Sequence, residues 1–311
     1  NGANPLAANW LRGAFETAAS RIQASDAGLP IEDLLKFYQD RSHEPRARRL
    51  AYEWLITAQP TLADELVPLA LDDPSAEMRR DAVSRLLQQA QAAEQAGRKE
   101  EAIAMYQQAL SGTGEPGQVD PIRKALEGLG QKIDVVSHYG LLTEWHLIGP
   151  FDNLEMKGFP VAYPPEAGVD LEASYPGLKG EVRWQKLNSD SEDGLFDLAK
   201  LTEPHKGAID YATTEFHSDR EQPVEFRLGT SNAWKLWLNG ELLFAREEYH
   251  RGMQFDQYRV PGKLRAGANR ILLKICQNEQ DQPWAQDWSF QFRVCDPYGR
   301  ALRSAPQVAV K

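Results

Sequence analysis

Trp284, Gln286 and Asp287, with Asn278 and Glu279 just upstream and Tyr249, His250 and Arg251 on an earlier loop, are the residues whose types suit one common chemistry. A flat aromatic face packs against the axial C–H groups of a sugar ring while amides and carboxylates fix its hydroxyls, and this set holds both kinds of group. Each residue also has a plain structural reading. Trp284, in a loop after Pro283, is either a plug for the end of a β-fold or a ligand contact. His250 reads as a hydrogen-bonded structural histidine, since no partner marks it as a general base, and Asn278 and Asp287 read as caps for loop backbone groups.

Sharper reactive signatures fail on context, so no catalytic residue, metal site or cofactor is expected. Residues 112–117 (GTGEPG) spell a dinucleotide fingerprint, yet they follow a helical pattern rather than a strand and contain Pro116, which suits an interhelical loop. There is no P-loop, none of the six histidines forms a close metal pair, and no serine sits in a nucleophile elbow. With 45 Asp and Glu in the chain, some carboxylate pair reaches glycosidase spacing by chance. Residues 188–194 (NSDSEDG) have the oxygen density of a calcium loop, but the Gly comes one position late and the closing Glu is missing; a solvated acidic turn is favoured.

The elements that must position the aromatic and amide residues are strands, organised around residues 232–246. Asn239-Gly240 supplies a two-residue turn in which both residues need positive φ, and alternating apolar residues flank it. The spacing predicts Leu238 opposite Glu241, Leu236 opposite Leu243 and Trp234 opposite Ala245, leaving Trp237, Leu242 and Phe244 on the second face. That face must be covered by another domain, a loop or a ligand, and both the Pro-rich stretch 150–180 and the helical segment are candidates. Further strands are expected at 145–148, stopped by Gly149-Pro150, and at 182–184, 211–217, 224–228, 258–260, 270–276 and 288–295. In the last, Trp288, Phe290, Phe292 and Val294 read as inward and Ser289, Gln291 and Arg293 as outward. If 270–276 and 288–295 form a simple hairpin, Cys276 faces Trp288 rather than Cys295, and two buried thiols are favoured over a disulfide.

Residues 1–137 are almost wholly helical in pattern. His43-Glu44-Pro45 opens a helix with Leu50, Ala51, Trp54 and Leu55 on one face, and Asp72-Asp73-Pro74 opens another in which Arg79-Arg80, Ala82 and Leu86 repeat Arg48-Arg49, Ala51 and Leu55 at an offset of about 31 residues. These residues resemble HEAT-type repeats, and residues 86–110, with Gly97, Ala102, Tyr106 and Ala109, resemble a TPR-like pair. The expected fold class is therefore α+β and multidomain: a helical repeat array over 1–137, then an antiparallel β-sandwich over 138–311.

Residues 236–240 (LWLNG), then Gly267-Ala268-Asn269 leading into 271–274 (ILLK), resemble the galactose-binding-like jelly roll that precedes the catalytic domains of β-galactosidase-type enzymes. With 145–153 (WHLIGPFDN) and 276–288 (CQNEQDQPWAQDW), the arrangement is similar to bacterial multidomain proteins, often secreted, that pair helical repeats with this sandwich. The resemblance implies secretion or a periplasmic location, and a module that serves as sugar binder, spacer or protein-docking unit. The expected function is a non-catalytic binding module for carbohydrate, with a protein-interaction scaffold or an accessory region of a larger enzyme as alternatives; the partner is a glycan or a protein.

A formal net charge of -10 argues against nucleic acid, which needs a basic stripe to displace counterions. Membrane insertion is not expected, because the longest apolar runs are strand-length. The first residue is Asn1 rather than Met, so removal of a leader or an upstream domain is expected.

Overall fold

In the computed structural model, which describes residues 4–25, 28–203 and 206–305, the chain is α+β and divides into two compact units, 1–132 and 133–311. The first unit is helical, with α1 (Pro5–Gln23), α2 (Ile31–Gln39), α3 (Pro45–Ala58), α4 (Leu62–Leu66), α5 (Ala76–Gln95), α6 (Lys99–Gly112) and α7 (Pro116–Gly128). Local sequence sets the helix starts: the Glu44 carboxylate accepts from Ala47 N ahead of α3, and the Ser75 hydroxyl accepts from Met78 N ahead of α5. Tyr38, Tyr52, Leu55, Met78 and Ala82 build the core between α2, α3 and α5. Beside it the Arg48 guanidinium reaches Asp73 through two bonds of 2.9 and 2.8 Å, both side chains being 2% exposed, and donates a third bond to Tyr38 O. Ala90, Ala93, Ala102 and Ala109 are fully buried, so α5 and α6 approach over small side chains. Residues 113–115 form the interhelical loop that the fingerprint-like sequence predicts.

The second unit opens with the short helix α8 (Val135–Tyr139) and then carries twelve strands among its described residues. One sheet has the order β4-β1-β6-β11-β8-β9, formed by β1 (Glu144–Asp152), β4 (Gln185–Asn188), β6 (Ala208–Ser218), β8 (Ala233–Leu238), β9 (Glu241–Arg246) and β11 (Gly267–Gln277). The other has the order β10-β7-β12-β5, from β5 (Phe196–Asp197), β7 (Gln222–Thr230), β10 (Tyr258–Leu264) and β12 (Ser289–Cys295). A separate ribbon pairs β2 (Ser174–Gly177) with β3 (Gly180–Arg183), and two single-turn helices, α9 (Pro164–Ala167) and α10 (Leu198–Leu201), lie in connections. Every pairing is antiparallel, and Trp145, Leu147, Trp234, Leu236 and Leu273 of the first sheet share one core with Phe226, Leu228, Phe290 and Phe292 of the second.

The hairpin forms around Asn239 (φ 52) and Gly240 (φ 88), the left-handed pair its turn requires. Its register holds for Leu238 with Glu241 and Trp237 with Leu242, then shifts, so that Leu236 faces Phe244, Lys235 faces Ala245 and Trp234 faces Arg246. Leu243 is the extra residue of a bulge, which turns Phe244 inward onto Trp234 and Tyr258 instead of onto the second face. Loops cover that face: Trp237 packs in a cluster with Phe159, Val182, Leu272 and Cys276, against which Tyr163 and Trp184 also rest. The Lys274 ammonium, fully buried at the middle of β11, fastens this cover by donating to Gly158 O, Phe159 O and Val161 O at 2.7 to 3.1 Å and to Glu166 at 2.9 Å.

Three further expectations change. Strand β1 continues through Gly149-Pro150 with a register shift between Ile148 and Phe151, and Asp210 of β6 fills the space that a side chain at position 149 would need. Strands β11 and β12 belong to different sheets, so Cys276 does not face Trp288; both cysteines are buried free thiols. All of β12 is buried, including Arg293, which lies over the adjoining rings of Tyr139 and Phe255. Arg293 stands directly opposite Arg227, and the Asp256 carboxylate joins these like charges by accepting from both.

Candidate functional site

The loops 247–257 and 278–288 meet the turn 153–158 at one end of the sandwich. Gln277, buried at the end of β11, holds the second loop: its amide oxygen accepts from Asn278 N and Asn232 Nδ2, and its amide nitrogen donates to Asp287 O at 3.2 Å and Ala285 O at 3.4 Å. Lys206 Nζ donates to the same Ala285 carbonyl at 2.7 Å. The 3-10 turn Pro283–Ala285 is fixed from beneath in this way, and its Trp284 ring projects with 61% of its surface exposed.

His250 adopts a left-handed conformation (φ 58) that aims its ring at Trp284, edge to face, with centroids 5.4 Å apart and planes at 82°. Its Nε2 lies 2.7 Å from Asn278 Oδ1, which also accepts from Gln280 N, while Asn278 Nδ2 donates to Gln280 Oε1. Tyr249 accepts at its hydroxyl from Asn153 Nδ2, and burial pushes its phenol well above the ordinary range. Glu279 accepts from Glu155 N at 2.7 Å and ties the 154–156 turn to the same end.

The sequence-predicted residues divide three ways. Trp284, His250, Asn278, Tyr249 and Glu279 come together at one end of the sandwich, with Trp284 and Glu279 exposed and Asn278 buried beneath. Gln286 folds back onto its own turn, donating to Asp281 O and Gln282 O, and Asp287 contributes its carbonyl to the scaffold while its side chain stays exposed. Arg251 turns away and pairs with Glu248 at 2.8 Å, beside Arg246, which binds the other oxygen of that carboxylate. Asn153, Gln277 and Lys206 were not among the candidates. Asn153 is fully buried and also donates to Gln277 O, while its Oδ1 has no partner among the described residues. Its position at the end of the 145–153 stretch was the available signal, since a buried amide at a strand end is seldom there for packing.

Among the described residues no cluster of His, Cys, Asp and Glu could hold a metal ion. The 189–195 loop is instead closed by its own bonds, Ser189 Oγ to Leu195 O and Ser191 Oγ to Asp193. No described helix is long and apolar enough to cross a membrane.

No family model matches the chain, and no curated protein matches it. Among solved structures, a β-glucosidase from Kluyveromyces marxianus in complex with glucose overlays 49% of this chain and 16% of its own, at 12% identity and a TM-score of 0.31. A β-glucuronidase from an uncultured Clostridium sp. overlays 50% of this chain and 28% of its own, at 11% identity and a TM-score of 0.28. An anti-sigma factor domain-containing protein from Clostridium clariflavum overlays 54% and 48%, at 14% identity and a TM-score of 0.23. The chain thus spans less than half of each of these proteins.

Proposed function

We propose that this protein is a non-catalytic glycan-binding module, exported from the cell, in which a galactose-binding-like jelly roll carries the sugar site and a HEAT- and TPR-like array forms the helical unit. The observation that carries this reading is the exposed Trp284 ring, held edge to face by a histidine that Asn278 fixes in turn. An aromatic face that large is costly to leave wet on a braced loop, and it suits the apolar face of a pyranose. Two groups that would serve as acid or base are already engaged, Glu279 with a backbone N–H and His250 with an amide oxygen. Glycan-array screening followed by affinity electrophoresis tests the reading. Retention on at least one polysaccharide, removed by Trp284→Ala with the melting temperature unchanged, is expected; no retention on any polysaccharide overturns it.

A second reading, a protein-interaction scaffold, draws on the helical unit, where Leu6, Trp10 and Leu11 of α1 are all more than half exposed. Trp10→Asp separates the two readings, since it leaves glycan retention intact if the sandwich alone carries the function.

A further inference from the structure

The 247–257 loop and the strand ends that flank it form a concavity of about 300 Å³, lined by Arg246, Arg251, Gly252, Gln254, Gln257 and Tyr258. Its walls are braced before any ligand arrives. Gln257 Oε1 accepts from Thr230 N and Gln254 N while its Nε2 donates to Gly252 O, and Tyr258 packs its ring on Trp234 and Phe244. Two guanidinium groups share one carboxylate, Glu248. Hydrogen bonds from Arg246 and then Arg251 hold that acid down to about 2, so it stays ionised and the trio keeps one net positive charge. Each guanidinium has five N–H donors, of which Glu248 engages one on each arginine. Guanidinium forks with N–H groups that bond no other described residue, in a cleft large enough for one ring, match a carboxylate.

We propose that this cleft is a carboxylate subsite, and that the glycan gripped at Trp284 carries uronic acid residues, one of which sets its carboxylate against the Arg246 and Arg251 N–H groups that Glu248 leaves open. The inference rests on the glycan-binding reading, because Arg251 follows His250 directly in the chain and one loop, 247–257, contributes to both places. It runs against the charge of the whole chain: at a formal net charge of -10 the default toward a polyanion is repulsion, so retention requires a local site.

The test is affinity electrophoresis of the full chain at pH 7 in gels holding polygalacturonate or alginate, each beside its carboxyl-reduced, neutral form, with dextran sulfate as a further arm. Stronger retention by at least one acidic polymer than by its reduced form is expected. Arg246→Gln/Arg251→Gln should weaken the acidic interaction about tenfold or more while leaving neutral retention unchanged, and Trp284→Ala should weaken both. Equal retention of acidic and reduced forms, an unaffected arginine double variant, or tighter arginine-dependent binding of dextran sulfate overturns the carboxylate subsite. Retention of neutral polymers alone, lost in Trp284→Ala, removes the subsite and leaves the glycan reading standing; absence of retention on every polymer and on the glycan array removes both.

Discussion

Asn278 Oδ1 dictates which nitrogen of His250 carries the proton. That oxygen already accepts from Gln280 N, so the amide orientation is set, and the imidazole nitrogen 2.7 Å away must be the donor. Neutral His250 is therefore expected as the Nε2–H tautomer, which ¹⁵N-detected imidazole NMR on the wild type checks. Asn278→Asp keeps an acceptor and should preserve the tautomer, whereas Asn278→Ala should yield a tautomer mixture and weaken glycan retention; a mixture already present in the wild type would contradict the assignment.

The two tryptophans of the 283–288 region should separate function from stability. Trp284 is 61% exposed and Trp288 is 1% exposed. Trp288→Ala is expected to cost about 3–5 kcal/mol in urea unfolding, against less than about 1 kcal/mol for Trp284→Ala. Comparable losses would mean that Trp284 is a structural plug.

Asp210 should make the fold weaken as pH rises. Its carboxyl is buried, and burial raises it from 3.8 to about 7. Thr202 Oγ1 lies 2.8 Å from Leu198 O and 2.7 Å from Asp210 Oδ2; with its one hydrogen given to Leu198, the remaining bond needs a proton from Asp210. The raised acid is neutral in both states below pH 4, is ionised only in the unfolded chain between about 4 and 7, and so loses its stabilising contribution across that window. Asp210→Asn should be more stable than wild type at pH 8, by up to ~4 kcal/mol, with the gap closing toward pH 4. Parallel stability profiles would refute this.

Lys274→Met should release the cover of the second sheet face. The substitution leaves Gly158 O, Phe159 O and Val161 O without their donor and Glu166 without its cation, at a cost of about 3–5 kcal/mol. Hydrogen exchange should rise first in residues 158–166, and Lys274→Met/Glu166→Gln should recover part of the loss. Exchange rising uniformly across the sandwich instead would assign Lys274 to the core rather than to the loop.

Asp256→Asn should be among the most damaging single changes in the sandwich. Burial opposes ionisation of Asp256, but Arg293 and Arg227 outweigh it and hold the acid below its ordinary value. Asparagine leaves buried Arg293 without a carboxylate, facing an Arg227 that keeps only Glu225, at about 3–5 kcal/mol in chemical denaturation. A loss below about 1 kcal/mol would mean that solvent already reaches the pair.

How far the sequence could be read depended on the range of the interactions. Asn239-Gly240 fixes its turn locally, and the period of two places Trp234, Leu236, Phe290 and Phe292 in the core without knowledge of partners. The same parity fails at Phe244, because one extra residue, Leu243, inverts everything after it in the strand. It fails at Arg293 because the cover comes from Tyr139 and Phe255, far away in sequence. At the site, residue type singled out Trp284, His250 and Asn278, yet the contact of His250 with Asn278 spans 28 positions and that of Asn153 with Gln277 spans 124. Loop-to-loop contacts of this kind leave no periodic trace.

The bulge at Leu243 has another consequence, for how copies of this protein behave beside one another. It lies in β9, an outermost strand of the six-stranded sheet, where a flat run of open N–H and C=O groups would invite a neighbouring chain to add a strand. The kink spoils that template. The remaining borders are blunted by other means: β4 is four residues long, β5 is two, and β10 carries Pro261, which has no N–H to offer. Removing Leu243 would straighten β9 into such a template, so the residue that upsets the strand's alternation also guards the protein against aggregation.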